Sequence, residues 1–380
     1  MSFGEDPTGS IGVVLDVGSL DTKAGFAGEA FPRCIVPTTV ARFRRPGLAD
    51  GFPDIYFSRE AMRNRGVSNL IWPVKDGFID NWDEMEKLWH HLFYKELYVA
   101  PEQANVIYAI HPLTPRKHKE RIAEIFFESF MIRGLYLATT SVLGLHAHGK
   151  TSGIIWENGY SCCYASAVFE GFPLKHTCVS SNLNGRALTD FLQALLLKKG
   201  YQFTTAADRD ILDRIKAKLC YVTKDYDEEI SSLTSGADSN VSFGLPDGQH
   251  ILLGDERFNC PEVLFRPSLL DNAHQSIVDD ICSCINKCDL DYKSLFFSNI
   301  VVSGGSSMFP GLPERLNVEL SKRVVDLPGI KAKVDALSSR NVAAWAGGSI
   351  MASLSTMNNF WMTINEYEDV GPDCVNYKFY

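Results

Sequence analysis

Asp16, Ser19 and Lys23 crowd around Gly18 in the stretch Leu15-Asp16-Val17-Gly18-Ser19-Leu20-Asp21-Thr22-Lys23. An apolar run, Ile11 to Leu15, leads into it, so the pattern reads as a strand, a tight Gly/Ser turn and a second strand. Such a turn aims backbone N–H groups and a hydroxyl at one point, a nest suited to phosphate oxygens. Asp16, at the strand end, is placed to hold a metal-bound water, and Lys23 to reach a phosphate as a point charge. Taken alone, these residues read first as an ordinary β-hairpin with a Gly-Ser turn.

The pattern returns further along. Gly153-Ile154-Ile155-Trp156-Glu157 is an apolar strand ending in an acid, Asn158-Gly159-Tyr160-Ser161 a tight turn, and Cys162 to Phe169 the return strand. A third version is Ile300-Val301-Val302 followed by Ser303-Gly304-Gly305-Ser306-Ser307. The first two lie roughly 140 residues apart, which points to a duplicated α/β domain with ligand held between its halves.

The elements between these turns follow from spacing and capping. Asn81 to Leu97 is expected to be a helix, capped by Asn81, with Met85, Leu88, Trp89, Leu92 and Phe93 on one face. His90 and His91 flank that stripe and are expected to be packed or solvated. Asn105 to Ala109 reads as a strand, Pro112 to Pro115 as a turn, Lys117 to Phe130 as a helix and Tyr136 to Leu145 as another. Leu188 to Leu197, Asp208 to Tyr221, Asp279 to Cys288 and the small-residue run Val342 to Leu354 are further helices. Ser231 to Asn240 is a loop and Pro246-Asp247-Gly248 a turn between strands. Arg42 to Asp54 is a basic, Pro- and Gly-punctuated surface loop, a solvated segment or a docking point for an acidic surface.

With 380 residues the chain is expected to form two or more domains, and 45% hydrophobic with 22% charged residues describes a soluble globular protein. A net charge of −9 argues against nucleic-acid or anionic-membrane binding. No apolar run reaches the length of a membrane span, and the polar start Met1 to Ser10 is read as flexible and not as a targeting peptide. The 10 cysteines show neither a disulfide framework nor zinc spacing. Cys282, Cys284 and Cys288, in one helical pattern, are read as buried thiols of a reducing compartment.

The chain resembles actin from Leu15 to Tyr380, without large insertions. The resemblance is carried by Lys23-Ala24-Gly25-Phe26-Ala27-Gly28, Trp82-Asp83-Glu84-Met85-Glu86-Lys87, Gly200-Tyr201-Gln202-Phe203-Thr204-Thr205, Lys218-Leu219-Cys220-Tyr221-Val222, Leu245-Pro246-Asp247-Gly248-Gln249 and Gly347 to Ser355. It implies a duplicated, ribonuclease-H-like α/β ATPase fold with a nucleotide cleft between two lobes. One lobe would comprise 11–150 plus 341–380, with a grasping-loop subdomain at 42–76, and the other 151–340. ATP or ADP with Mg²⁺ is the implied cofactor.

Residue by residue, the resemblance places Asp16, Gly18, Ser19, Leu20 and Lys23 at the first phosphate turn and Glu157, Gly159 and Tyr160 at the second. Asp16 and Glu157 would reach the metal through water. Gly185, Lys216, Gly304, Gly305, Ser306, Ser307, Met308 and Phe309 would form the adenosine half. Several positions depart from the family. Leu20 stands for a glycine, Glu157 and Tyr160 for aspartates, Tyr164 for the histidine near the attacking water, and Thr140 for the glutamine that orients it. Ala217 replaces a ribose-binding glutamate and Asn341 a lysine near the base. One lost water-positioning or acid–base group costs about 10²–10⁴-fold in rate, so hydrolysis is expected to be lost or vestigial.

The polymerisation surfaces are mixed. The Arg42–Asp54 loop lacks the family's apolar residues, the plug Leu269-Leu270-Asp271-Asn272 is half polar, and Asp76 replaces a modified histidine. A partner groove is kept at Ala147, Gly149, Thr151, Ile350, Met351, Leu354 and Thr356, with Phe360 as an apolar equivalent. The expectation is a structural subunit of a cytoplasmic cytoskeletal assembly without efficient hydrolysis, whose weakened site either still holds ADP or ATP or is an empty or closed cleft. Its candidate neighbours are actin, actin-related proteins or axonemal and microtubule-associated proteins, and its candidate places include the cilium or flagellum. The rival is a filament-forming actin that hydrolyses ATP.

Overall fold

A computed structural model describes residues 10–44, 53–234, 240–246, 248–270, 275–325 and 329–379. The chain divides into two compact units. The first comprises Met1–Ser152, Val168–Lys175 and Val342–Tyr380, and the second Gly153–Ala167 and His176–Asn341.

In the first unit, β1 (Ile11–Val17) pairs antiparallel with β2 (Asp21–Phe26), which pairs antiparallel with β3 (Cys34–Pro37). On its other side β1 runs parallel to β4 (Ala104–Ile110), itself parallel to β5 (Gly134–Thr139). Met362–Thr363 closes that edge. The sheet is buried because these strands are near-continuous apolar runs, as parallel strands covered on both faces require.

The second unit repeats the scheme. The hairpin of β6 (Gly153–Asn158) and β7 (Cys163–Phe169) has β8 (Val179–Ser181) antiparallel on β7. Parallel to β6 lies β9 (Ile300–Ser303), and β10 (Val334–Ala336) follows. One five-strand order is thus built twice, β3-β2-β1-β4-β5 and β8-β7-β6-β9-β10. The duplication expected from the turns is real, but the third turn is of another kind. Ser303 ends a parallel strand, so Gly304–Ser307 opens a crossover and not a hairpin.

The helices start where capping residues allow. Asn81 accepts from the Glu84 N–H (3.1 Å) and begins α1 (Trp82–His91), which continues as a wider π turn over Leu92–Leu97. Trp89, Phe93, Phe126 and Phe130 pack its buried face. His90 packs on Phe130 and His91 stacks on Phe57, so both are packed as expected. Asn184 caps α4 (Gly185–Lys198), and Thr205 with Asp208 forms a capping box on α5 (Ala206–Leu219). The intervening helices are α2 (Arg116–Glu124) and α3 (Thr140–Ala147); α6 (Ala343–Ala352) comes near the end.

Tyr136–Thr139, expected as helix, is strand: β5 occupies it and α3 starts only at Thr140. A strand buried on both faces is an unbroken apolar run, and periodicity does not separate that from a buried helix. The small residues of α6 serve close packing, since a Cβ on Gly347 would lie 1.8 Å from the Leu143 carbonyl oxygen in α3.

The basic loop is largely tied down where it is described. Arg42 lies in the strand Val40–Phe43 and forms an ion pair with buried Glu84, and Arg44 donates to Asn69 (3.2 Å). Positions 45–52 lie outside the described residues, as do 1–9, 235–239 of the expected Ser231–Asn240 loop, Asp247, and Asp271 and Asn272 of the plug. The start of that loop, expected as coil, is instead the last turn of the helix Tyr226–Thr234. Asp76 has a concrete local role. With Gly77 it takes positive φ (50° and 84°) between the paired strands Val74–Lys75 and Phe78–Ile79, the Asp-Gly turn a tight hairpin needs. Cys284 and Cys288 are buried and Cys282 half-buried. Among the described residues all the cysteines are free and no group of metal-ligating side chains stands together.

Candidate nucleotide site

The first turn is built as its sequence suggests. Asp16 and Lys23 face each other across the β1–β2 hairpin, and the Gly18 N–H closes it on the Asp21 carbonyl (3.1 Å). A Cβ on Gly18 would lie 2.9 Å from that same oxygen, so the turn needs glycine there. Lys23 Nζ lies 3.4 Å from Asp16 Oδ2, and both side chains are mostly buried. Ser19 and Leu20 are half-buried, and the Leu20 carbonyl accepts from the Thr38 N–H (2.8 Å). The branched side chain at Leu20 therefore sits on backbone held by the end of β3. Thr140, the first residue of α3, is buried in the same unit.

The second turn has the same frame and different chemistry. The Gly159 N–H closes it on the Cys162 carbonyl (2.8 Å). From β7 the buried Tyr164 hydroxyl donates to Glu157 Oε2 at 2.6 Å. The Tyr160 hydroxyl oxygen accepts from Arg209 Nε (2.9 Å), and Arg209 in turn pairs with Asp190 (2.8 Å). Burial, helped by nearby Asp213, raises the Tyr160 phenol above its usual value against the pull of Arg209. Tyr160 stays a neutral phenol at physiological pH and supplies no carboxylate charge.

The remaining expected residues of this unit gather on the turn. At the start of α4, the N–H groups of Gly185 and Arg186 donate to the carbonyls of Gly159 (3.0 Å) and Tyr160 (2.7 Å). A Cβ on Gly185 would meet Ser306 Oγ at 2.0 Å and the Gly159 carbonyl oxygen at 3.1 Å, so a side chain there would have to turn the Ser306 hydroxyl away. Gly304, at φ +94°, would put a Cβ 2.2 Å from the Asn158 carbonyl oxygen. Ser307 Oγ donates back to the Gly304 carbonyl (2.7 Å), and Arg340 braces the Ser307 carbonyl (2.8 Å). Around Gly305, by contrast, a Cβ would meet nothing within 4 Å. Met308 is exposed and Phe309 buried.

Lys216 is buried and fully engaged. Its ammonium donates to the Gly185 carbonyl (2.7 Å), to Asp213 (3.0 Å) and to Thr189 Oγ1, and lies 5.8 Å from the Tyr160 ring centre. Ala217, next along α5, is exposed and offers no polar group. Asn341 lies in the short turn Arg340–Val342.

A family model described as Actin matches residues 8–380. The chain belongs to the actin family. Its α/β fold, with one sheet order built twice, is the actin type. Three glycines sit at tight backbone crossings of this fold, and two polar side chains of the second turn are engaged within the chain. Gly18, Gly185 and Gly304 answer to close contacts inside each unit. Glu157 and Tyr160 answer to partners within the protein.

The nucleotide fits these residues only in part. Gly305 leaves open space, and the exposed Met308 beside it suits a flat apolar base. Within the first unit Lys23 lies beside Asp16; within the second, one oxygen of Glu157 accepts from Tyr164, and Lys216 donates to Asp213. Sequence reasoning missed Arg209, Asp190 and Asp213. A signal was present for two of them, since Arg209, Asp213 and Lys216 recur at helical spacing on one face of α5.

The groove residues all belong to the first unit. Ile350, Leu354 and Phe360 are exposed along the end of α6 and the turn Ser355–Asn359, as is Thr356. Met351 is instead buried against Trp345, Met357 and Trp361. Ala147, at the end of α3, is half-buried, while Gly149 and Thr151 are exposed. Among the described residues no helix is long and apolar enough to cross a membrane.

Proposed function

We propose that this actin-family chain is a structural subunit of a cytoskeletal assembly that holds ADP or ATP with Mg²⁺ weakly and does not hydrolyse it at a useful rate. The observation that carries the reading is the 2.6 Å bond from Tyr164 to Glu157. Phosphoryl transfer is mostly positioning and charge stabilisation, and it needs a carboxylate free to order metal-bound water and a group to orient the attacking one. Here the acid at the end of β6 is committed to a phenol from the neighbouring strand. The second polar position, Tyr160, is committed to Arg209. Asp16, Gly18, Ser19 and Lys23 would hold phosphate from the first turn. Gly305 and Met308 would admit the base.

A nucleotide-holding scaffold needs partners, and the exposed Ile350, Leu354 and Phe360 support a protein partner. The fitting neighbours are other actin-family chains or axonemal and microtubule-associated proteins, in the cytoplasm or a cilium. The test is to purify the native complex, identify its neighbours, and measure the nucleotide released on denaturation alongside single-turnover hydrolysis. Copurifying cytoskeletal neighbours, substoichiometric nucleotide and hydrolysis no faster than that of free ATP are expected. Robust turnover with self-assembly of the purified chain at micromolar concentration would instead establish an ATP-cycling filament subunit. That second reading is favoured by the intact Asp16–Lys23 turn.

A further inference from the structure

The second unit contains a polar cavity of 320 Å³ that none of the chemistry above uses. Five cationic side chains line it, Lys224, Arg266, Arg315, Lys322 and Arg323, against three acids, Asp225, Asp227 and Glu319. In a chain of net charge −9 this is a local reversal of sign.

The cations are of two kinds. Arg315 is 7% exposed and fixed: Nη1 donates to the carbonyls of Thr223 (3.2 Å) and Lys224 (3.0 Å), Nε donates to Glu319 (2.8 Å), and the guanidinium lies over Phe265. Its Nη2 lies 3.7 Å from Glu262, beyond hydrogen-bond reach, and so keeps donors in reserve. Glu262 makes a poor competitor for them, since burial pushes its carboxyl up to about 7 despite Arg315 and Arg266.

The outer cations are held mainly by exposed pairs, although Arg266 Nε also lies 3.4 Å from buried Glu262. Arg266 forks onto Asp227 (2.9 and 2.8 Å), Lys322 reaches Glu319 (3.0 Å), and Arg323 reaches Asp279 (2.7 Å). Asp227 is 73% exposed, so water competes for its fork with Arg266 and a doubly charged acceptor can draw the guanidinium away. Lys224 is exposed and has no ion-pair partner among the described residues. A planar guanidinium fork prefers an oxyanion that can take two parallel bonds, and a phosphate monoester offers three strong acceptor oxygens and close to two charges.

We propose that this cavity binds a phosphate group, with Arg315 as the deep donor and Lys224, Arg266 and Lys322 closing on it from the rim. The phosphate can come from a free phosphorylated small molecule or from a phosphorylated serine or threonine on a partner. The full chain is titrated calorimetrically with inorganic pyrophosphate, and separately with a phosphoserine pentapeptide and its unphosphorylated twin. Amide hydrogen exchange reports where each lands. Protection at 223–227, 265–266 and 315–323 is expected, with affinity about tenfold or more lower in R266Q/K322Q, whose changes lie at the exposed rim. Binding of pyrophosphate alone assigns a small-molecule source, and binding of the phosphopeptide but not its twin assigns a partner. Protection confined to 157–164 and 304–309 would place the phosphate at the candidate nucleotide site and overturn the proposal. Equal affinity in the double variant, or no binding of either probe, would overturn it as well.

Discussion

Tyr164 and Glu157 are bound to each other at 2.6 Å, one from each strand of the second hairpin. The pair is almost closed to solvent on the tyrosine side. A neutral phenol donating to a carboxylate is a charge-assisted bond, stronger than an ordinary one. It fixes the acid at the end of β6, beside the Gly159 turn.

Removing that hydroxyl therefore tests a structural bond. Tyr164→Phe is expected to lower stability by about 1–3 kcal/mol, because Glu157 loses a donor while part-buried. The denaturant midpoint should fall at unchanged slope. Hydrolysis should stay at its background level, whereas a drop from a measurable rate to none would give Tyr164 a catalytic role.

Two adjacent glycines should behave oppositely. Gly304→Ala puts a methyl 2.2 Å from a backbone oxygen at φ +94° and is expected to cost about 2–4 kcal/mol or to prevent folding. Gly305→Ala meets nothing and should leave the melting temperature nearly unchanged. If the open space at Gly305 admits a nucleotide, the same Gly305→Ala variant should release it. Calorimetric melting and nucleotide content on the two proteins settle both points.

Much of this frame was legible in the chain. Gly18 and Gly159 marked hairpins because strand, glycine turn and return strand are a local pattern, and both close as expected. Asn81 and Glu84 marked a helix start for the same reason. The strand at Gly134–Thr139 was hidden, since burial on both faces erases the alternation that separates strand from helix. The bonds that redirect the second turn were hidden more deeply. Tyr160 meets Arg209, 49 positions away, and Lys216 meets the Gly185 carbonyl, 31 positions away. Side-chain spacing alone carries no record of such contacts.

Asp280 gives the fold a pH dependence of known sign. It is buried in the helix Ile277–Asn286, and burial, with a smaller push from Asp279, raises its carboxyl to about 7 against a hydrogen bond from Ser181. Between its unfolded value of 3.8 and about 7 the folded protein holds a proton that the unfolded chain releases. This contribution therefore makes the fold more stable as pH falls through that window, and the penalty of an ionised Asp280 is complete above it. Asp280→Asn should raise the melting temperature at pH 8 and leave it unchanged near pH 4. An equal shift at both values would show that the carboxyl is not protonated in the fold.

The last prediction concerns the surface through which a scaffold would act. Ile350, Leu354 and Phe360 are 47%, 52% and 54% exposed, and they follow one another along one end of the first unit. Apolar side chains cost nothing in their own fold when they stay in water, so replacing them should leave stability within about 0.5 kcal/mol. What they gain from burial is realised only against a partner, at roughly 25 cal/mol per Å² of apolar surface covered. The double variant Leu354→Asp/Phe360→Asp would oppose that burial with two charges. It should melt with the parent protein and lose its copurifying neighbours by about tenfold or more. Met351, buried between these positions, is the control for the opposite behaviour: Met351→Ala should cost about 2–5 kcal/mol of stability and leave partner retention unchanged when folded. Retention of every neighbour by the double aspartate variant would move the docking surface elsewhere on the chain.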